Sequence, residues 1–212
     1  MKPTVYLFDV DGTLTNTAHI WIEVYEASLR HLGITPPDER EIAKHTHDFK
    51  SATALGIREV DIPIFSKDIW QRADEVVHSA PLHADALAVL AKLRKLGHKT
   101  GVVSSMYREK LDRTLHEQGI EVDVIVGGGD VPHNKPSPEG ILFALKQLGV
   151  EPSLDNVIYF GDKETDIEAA HAAGVRAVHF FPKEHQLLYD LKDIKTEPHE
   201  RLLSWAELLE RL

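Results

Sequence analysis

The chain has 212 residues, 42% of them apolar and 27% charged, with 34 acidic against 24 basic residues and no cysteine. That length fits one large domain or a core with a modest second domain, while the anionic balance and the lack of a long basic run exclude a nucleic-acid binder. Disulfide and thiolate chemistry are excluded too. No stretch approaches the ~20 apolar residues of a membrane span, and the chain enters a strand within a few residues of Met1, so no membrane partner and a cytoplasmic location are expected.

Residues 4–8 read as a buried strand that runs straight into Asp9-Val10-Asp11-Gly12-Thr13. From 16 to 80 no strand appears. Three helical patterns fill that interval: Ile20, Val24 and Leu32 closed by Gly33; residues 39–55 closed by Gly56; and 66–77 carrying Ile69, Trp70, Ala73 and Val76. Beyond Pro81 strands and helices alternate. Leu87, Leu90, Leu93 and Leu96 space a helix closed by Gly97, and a strand follows at 99–104. Leu111 and Leu115 precede Gly119, and the next strand is 122–126. Ile141, Leu142, Leu145 and Leu148 precede Gly149, and a strand follows at 156–160. Residues 169–173 precede Gly174 and the strand at 175–180. The tail 182–212 ends in an amphipathic helix bearing Leu202, Leu203, Trp205, Leu208 and Leu209. The fold class expected is α/β, a Rossmann-like parallel sheet with helices on both faces, plus a small α-helical domain inserted after the first strand. The core would take residues 1–15 and 81–212, the helical domain 16–80.

In open α/β sheets ligands bind beyond the carboxyl ends of the strands. There the chain places Asp9 and Asp11, then Ser104-Ser105, then Gly127-Gly128-Gly129-Asp130 leading to Asn134-Lys135-Pro136-Ser137-Pro138, then Gly161-Asp162 with Asp166 close behind. Two carboxylates one residue apart at the end of a buried strand call for a cation. An Asp-x-Asp-Gly turn also occurs in calcium loops and ordinary strand ends, so the other strand ends decide. Asp9 can attack phosphorus, Asp11 can protonate the departing oxygen, and Mg2+ can neutralise the carboxylate and the incoming dianion. Lys135 and Ser104 supply donors to the equatorial oxygens. Asp162 and Asp166 add oxygen ligands for the metal.

At these residues the chain resembles the haloacid dehalogenase-like hydrolase superfamily, along nearly its whole length. Asp9-Val10-Asp11-Gly12-Thr13, Val102-Val103-Ser104, Lys135-Pro136-Ser137-Pro138-Glu139 and Gly161-Asp162 with Asp166 match its four signatures in order. The resemblance implies Asp9 as the nucleophile that forms an aspartyl-phosphate and Asp11 as general acid and base. It implies Ser104 and Lys135 as phosphate binders, with Ser105, Gly12 and Thr13 in the substrate-binding set. The metal set is Asp9, Asp11 through its carbonyl, Asp162 and, in support, Asp166. The insert resembles the small helical cap of the phosphoglycolate phosphatase-like and β-phosphoglucomutase-like branch. Asp11 argues against the dehalogenase and phosphonoacetaldehyde hydrolase members, and Trp21 stands where mutase members carry a His, with His19 offset. Asn16 and Ser105 stand where many members have Asp and Asn.

The expected function is therefore Mg2+-dependent hydrolysis of a small phosphorylated metabolite, a phosphoglycolate-like or sugar phosphate monoester. The alternatives are a phosphomutase and, outside enzymes, a phospho-Asp signalling receiver. In the insert, 44–50 is the expected selectivity element, with His45, His47 and Lys50 its polar residues. The expected assembly is a monomer or a homodimer.

Overall fold

A computed structural model of the chain describes residues 5–46 and 49–212. Two compact units emerge: one comprises the residues up to Asn16 with Pro81–Pro182 and Ile194–Leu212, the other Thr17–Ala80 with Lys183–Asp193.

The first unit is built on a six-stranded sheet: β1 (Val5–Phe8), β2 (Lys99–Tyr107), β3 (Val124–Gly128), β4 (Val157–Gly161), β5 (Arg176–Phe180) and β6 (Glu200–Leu202). The order is β3-β2-β1-β4-β5-β6 and every neighbouring pair is parallel. A central parallel strand is covered on both faces and must be apolar throughout; β1 meets that demand. Val5 and Leu7 enter one core with Val103, Val126, Tyr159, Ile141 and Leu145 of α6 (Glu139–Leu148) and Ile167 of α7 (Glu164–Ala172). Tyr6 and Phe8 enter the other, with Val89 and Leu93 of α4 (Ala86–Lys95), Leu111 of α5 (Arg108–Glu117) and Trp205 of α9 (Trp205–Arg211). Trp205 stacks on Phe180 with ring centroids 4.4 Å apart.

The second unit holds α1 (Ala18–His31), α2 (Glu39–Ala43), α3 (Ile62–Val76) and α8 (Lys183–Leu188). Tyr25 of α1 meets Phe65 of α3 edge-on at 5.5 Å. Asp68 ties the same pair together, 2.7 Å from Arg72 Nε and 2.9 Å from His31 Nδ1.

Several elements differ from the sequence reading. Leu202 lies in β6, paired with Phe180, and not in the final helix; a three-residue strand is too short to show a period. The pattern at 39–55 resolves into the short α2 and a 3-10 segment at Phe49–Leu55. α3 starts at Ile62, four residues before the expected 66, with proline in its first turn, where a missing N–H does no harm. Helix α4 turns Ala86, Val89, Leu90 and Leu93 inward and leaves Leu87 and Leu96 exposed; Trp70 and Val76 of α3 are likewise exposed. Residues 183–193, placed by the sequence reading in the core, fall in the helical unit, where Arg40 Nε donates to the Leu187 carbonyl at 2.7 Å.

Candidate active site

Strand order reverses about β1, whose neighbours are β2 and β4, and a crevice forms at such a switch point. Phe8 pairs with Phe160, and the Asp9 amide donates to the Phe160 carbonyl at 2.8 Å. Asp9 therefore emerges beside Gly161-Asp162. One oxygen each from Asp9, Asp162 and Asp166 lie within 4.8 Å of one another. Two glycines make room for this gathering. A Cβ on Gly12, whose φ is +83°, would overlap the Asp162 carboxylate, and a Cβ on Gly161 would overlap the side chain of Asp166. Thr13 Oγ1 donates to Asp162 Oδ1 at 3.0 Å, and Trp205 Nε1 holds the Thr13 carbonyl at 3.2 Å.

Lys135, on the loop between β3 and α6, has only 7% of its side chain exposed; its Nζ lies 2.9 Å from Asp9 Oδ1 and 2.5 Å from Asp166 Oδ1. The buried Tyr159 hydroxyl stands 3.1 Å from Asp166 Oδ1 and 3.0 Å from the Val103 carbonyl. Asp166 Oδ2 accepts the Lys163 amide at 3.0 Å, just ahead of the first turn of α7, where a carboxylate also suits the helix dipole. Both oxygens of Asp166 are thus bonded to protein donors. A second lysine completes the group: Lys163 Nζ is 3.6 Å from Asp11 Oδ2.

The electrostatics follow from this crowding. Burial raises the Asp9 carboxyl above its ordinary range, against the pull of Lys135. Burial, followed by the charges of Asp166, Asp9 and Asp11, lifts Asp162 to about 8 despite Lys163. Burial alone would lower Lys135; Asp166 and Asp9 outweigh it and hold the ammonium above the usual lysine range. Lys163 is raised in the same way, chiefly by Asp11 and Asp162. Four carboxylates facing two ammonium groups leave two negative charges uncompensated when all are ionised. An all-oxygen donor set with that deficit fits a hard divalent cation.

Of the residues expected at the site, Asp9, Asp162, Asp166 and Lys135 come together, and Asp11 reaches the group through Lys163. Ser104 and Ser105 line one cavity with Asn134 and Lys135. Gly12 and Thr13, expected to bind substrate, are occupied otherwise. The Gly12 amide closes a turn onto the Thr15 carbonyl, and Thr13 is fully buried with its hydroxyl on Asp162. His45 is engaged at both ring nitrogens inside the helical unit, 2.8 Å from Ser51 Oγ and 3.4 Å from Glu41 Oε1. His47 and the side chain of Lys50 lie outside the described residues. Sequence reasoning missed Tyr159 and Lys163. Tyr159 looks like any apolar strand residue, and Lys163 offers one signal, a cation directly after a metal-type carboxylate.

Fold and site together define an α/β protein with a parallel sheet and an acidic, lysine-bound cluster at its carboxyl edge. The haloacid dehalogenase-like hydrolase profile matches residues 6–180, and the chain belongs to that family. It is 30% identical over 183 residues to the pyrophosphatase PpaX of Bacillus cereus, covering 83% of this chain and 82% of that one. It is 30% identical over 179 residues to the phosphoglycolate phosphatase of Aquifex aeolicus, covering 81% and 82%. A haloacid dehalogenase-like hydrolase from Streptococcus pneumoniae shares the fold with a TM-score of 0.81 at 19% identity, over 99% of this chain and 98% of that one. Among the described residues no helix is long and apolar enough to cross a membrane.

Proposed function

We propose that this enzyme is a Mg2+-dependent phosphatase of small phosphorylated metabolites that works through an aspartyl-phosphate on Asp9. The observation that carries the reading is the meeting of Asp9, Asp162 and Asp166 within 4.8 Å, with the Lys135 ammonium on Asp9. Family membership and phosphatase relatives support it.

In the first half-reaction an Asp9 carboxylate oxygen bonds to phosphorus, and the bond from phosphorus to the leaving oxygen breaks. That oxygen takes the electron pair and a proton from Asp11. In the second, water attacks the phosphorus, Asp11 accepts its proton, and the bond to Asp9 breaks to return the carboxylate and release phosphate. Lys135, held by Asp9 and Asp166, and the hydroxyls of Ser104 and Ser105 receive the phosphoryl oxygens. Asp9 and Asp162 would hold the metal, with the Asp11 carbonyl as the resemblance implies. When bound, Mg2+ supplies positive charge against the phosphoryl group. Asp166, held by Lys135, Tyr159 and the Lys163 amide, would position Lys135, and its Oδ2 keeps acceptor capacity for the supporting role toward the metal that the resemblance implies.

The test is phosphate release from p-nitrophenyl phosphate. Turnover should require Mg2+ and disappear in Asp9→Asn; full turnover by that variant sinks the reading.

A further inference from the structure

Lys163 is not explained by the phosphoryl-transfer machinery. Lys135 already serves the nucleophile, and its ammonium is enclosed by two carboxylates. Lys163 stands instead at the acid: its Nζ is 3.6 Å from Asp11 Oδ2, and 27% of its side chain is exposed against 7% for Lys135. Its backbone is fixed where α7 begins, because its amide is bonded to Asp166 Oδ2 at 3.0 Å. The ammonium is thus presented from a rigid base and keeps an open side.

Resting on the reading above, in which Asp11 protonates the leaving oxygen, we infer that Lys163 selects for substrates whose leaving group carries a negative charge of its own beside the scissile oxygen. A proton donor sits about 3 Å from the atom that it serves. With Asp11 Oδ2 as the donor atom, adding its 3.6 Å to Lys163 puts the ammonium at most about 7 Å from the leaving oxygen. A phosphate or carboxylate one or two bonds beyond that oxygen carries its charged oxygens part of the way across this distance and can pair with Lys163, while a neutral alkyl or aryl group finds no partner there. The shared chemistry is a small anionic leaving group. Inorganic phosphate leaving from a diphosphate and a 2-hydroxycarboxylate leaving from its phosphate ester both satisfy it.

The experiment compares kcat/KM for pyrophosphate and 2-phosphoglycolate with that for p-nitrophenyl phosphate, in the unmodified enzyme, Lys163→Gln and Lys163→Arg. Each ratio within one protein cancels a general loss of activity. The expected result is a fall of at least about tenfold in one or both ratios for Lys163→Gln, equivalent to about 1.4 kcal/mol, with Lys163→Arg keeping them within about threefold. A fall confined to pyrophosphate assigns phosphate as the partner, and one confined to 2-phosphoglycolate assigns carboxylate. Unchanged ratios in Lys163→Gln overturn the inference. Should the unmodified enzyme release no phosphate from any of the three, the function reading fails, and calorimetry still tests Lys163. Methylenediphosphonate should then lose at least about tenfold in affinity relative to methylphosphonate in Lys163→Gln; equal losses overturn the inference.

Discussion

Asp162 and Asp166 stand four residues apart in one carboxylate cluster, yet neutralising them should move stability in opposite directions. Asp166 is 1% exposed and receives Lys135, Tyr159 and the Lys163 amide. In Asp166→Asn the NH2 group must face either an ammonium or an N–H, and Lys135 keeps only Asp9, at 2.9 Å. Breaking a buried, bonded ion pair on one side costs roughly 3–5 kcal/mol. The surviving Asp9 contact points to the lower end, about 3 kcal/mol, or a fall in Tm of roughly 6–12 °C for a chain of this size. Asp162 is the opposite case. Its pKa of about 8 means that the folded state disfavours its charge. A carboxyl raised in this way weakens the metal-free fold as pH climbs from the ordinary carboxylate range towards 8, and the penalty is complete above that. In EDTA at pH 8.5 or so Asp162→Asn should therefore be more stable than the unmodified protein by at least about 1 kcal/mol, the equivalent of one pKa unit, and the gain should vanish near about pH 4. Thermal unfolding of both variants in EDTA across this pH range checks the pair. Two variants that shift Tm in the same direction at high pH would refute the division of labour drawn between the two carboxylates.

Mg2+ should raise Tm of the unmodified protein, by an amount equivalent to about 2.7 kcal/mol at a hundredfold excess over Kd; Asp162→Asn should lose most of that shift in the same melts. Gly12→Ala forces a side chain into a left-handed turn and against the Asp162 carboxylate, so a loss of about 2 kcal/mol in urea unfolding is expected, together with weaker Mg2+ stabilisation. Asp123 is opposed by burial but held below the usual carboxylate range by the Thr100 amide at 2.8 Å and by Lys99. A depressed carboxyl stabilises above its unfolded pKa and loses that contribution as pH falls through the folded one. Asp123→Asn should accordingly lower stability at pH 7 by about 1 kcal/mol and flatten the decline below about pH 4 in chemical unfolding.

Local chemistry was enough to show five of the six strands and to single out the carboxylates, hydroxyls and lysine near their ends. An apolar run such as 5–8 has no stable place except inside a parallel sheet, and carboxylates at its end have no reason to be there without a cation. The same reasoning singled out Lys135, Ser104, Asp162 and Asp166, because each lies at or beyond the carboxyl-terminal part of a strand, Ser104 within β2 itself, and all strand ends of a parallel sheet open on one edge. What the chain could not reveal depends on contacts between distant segments. Thr13 meets Asp162 across 149 residues, and Trp205 reaches Thr13 across 192. Those contacts hold Thr13, one of the expected substrate binders, against the Asp162 carboxylate. Residues 183–193 left the core for the helical unit through Arg40, and β6 exists only because β5 offers it an edge. The pairing of Lys163 with Asp11 belongs to the same class, since nothing in a Gly-Asp-Lys sequence says which carboxylate the ammonium will face. Periodicity and residue type record what a segment must bury and what chemistry it carries. Which side chain stands against which is set only when separate segments close on one another, and that left Asp162 highly perturbed and Asp166 held by three donors.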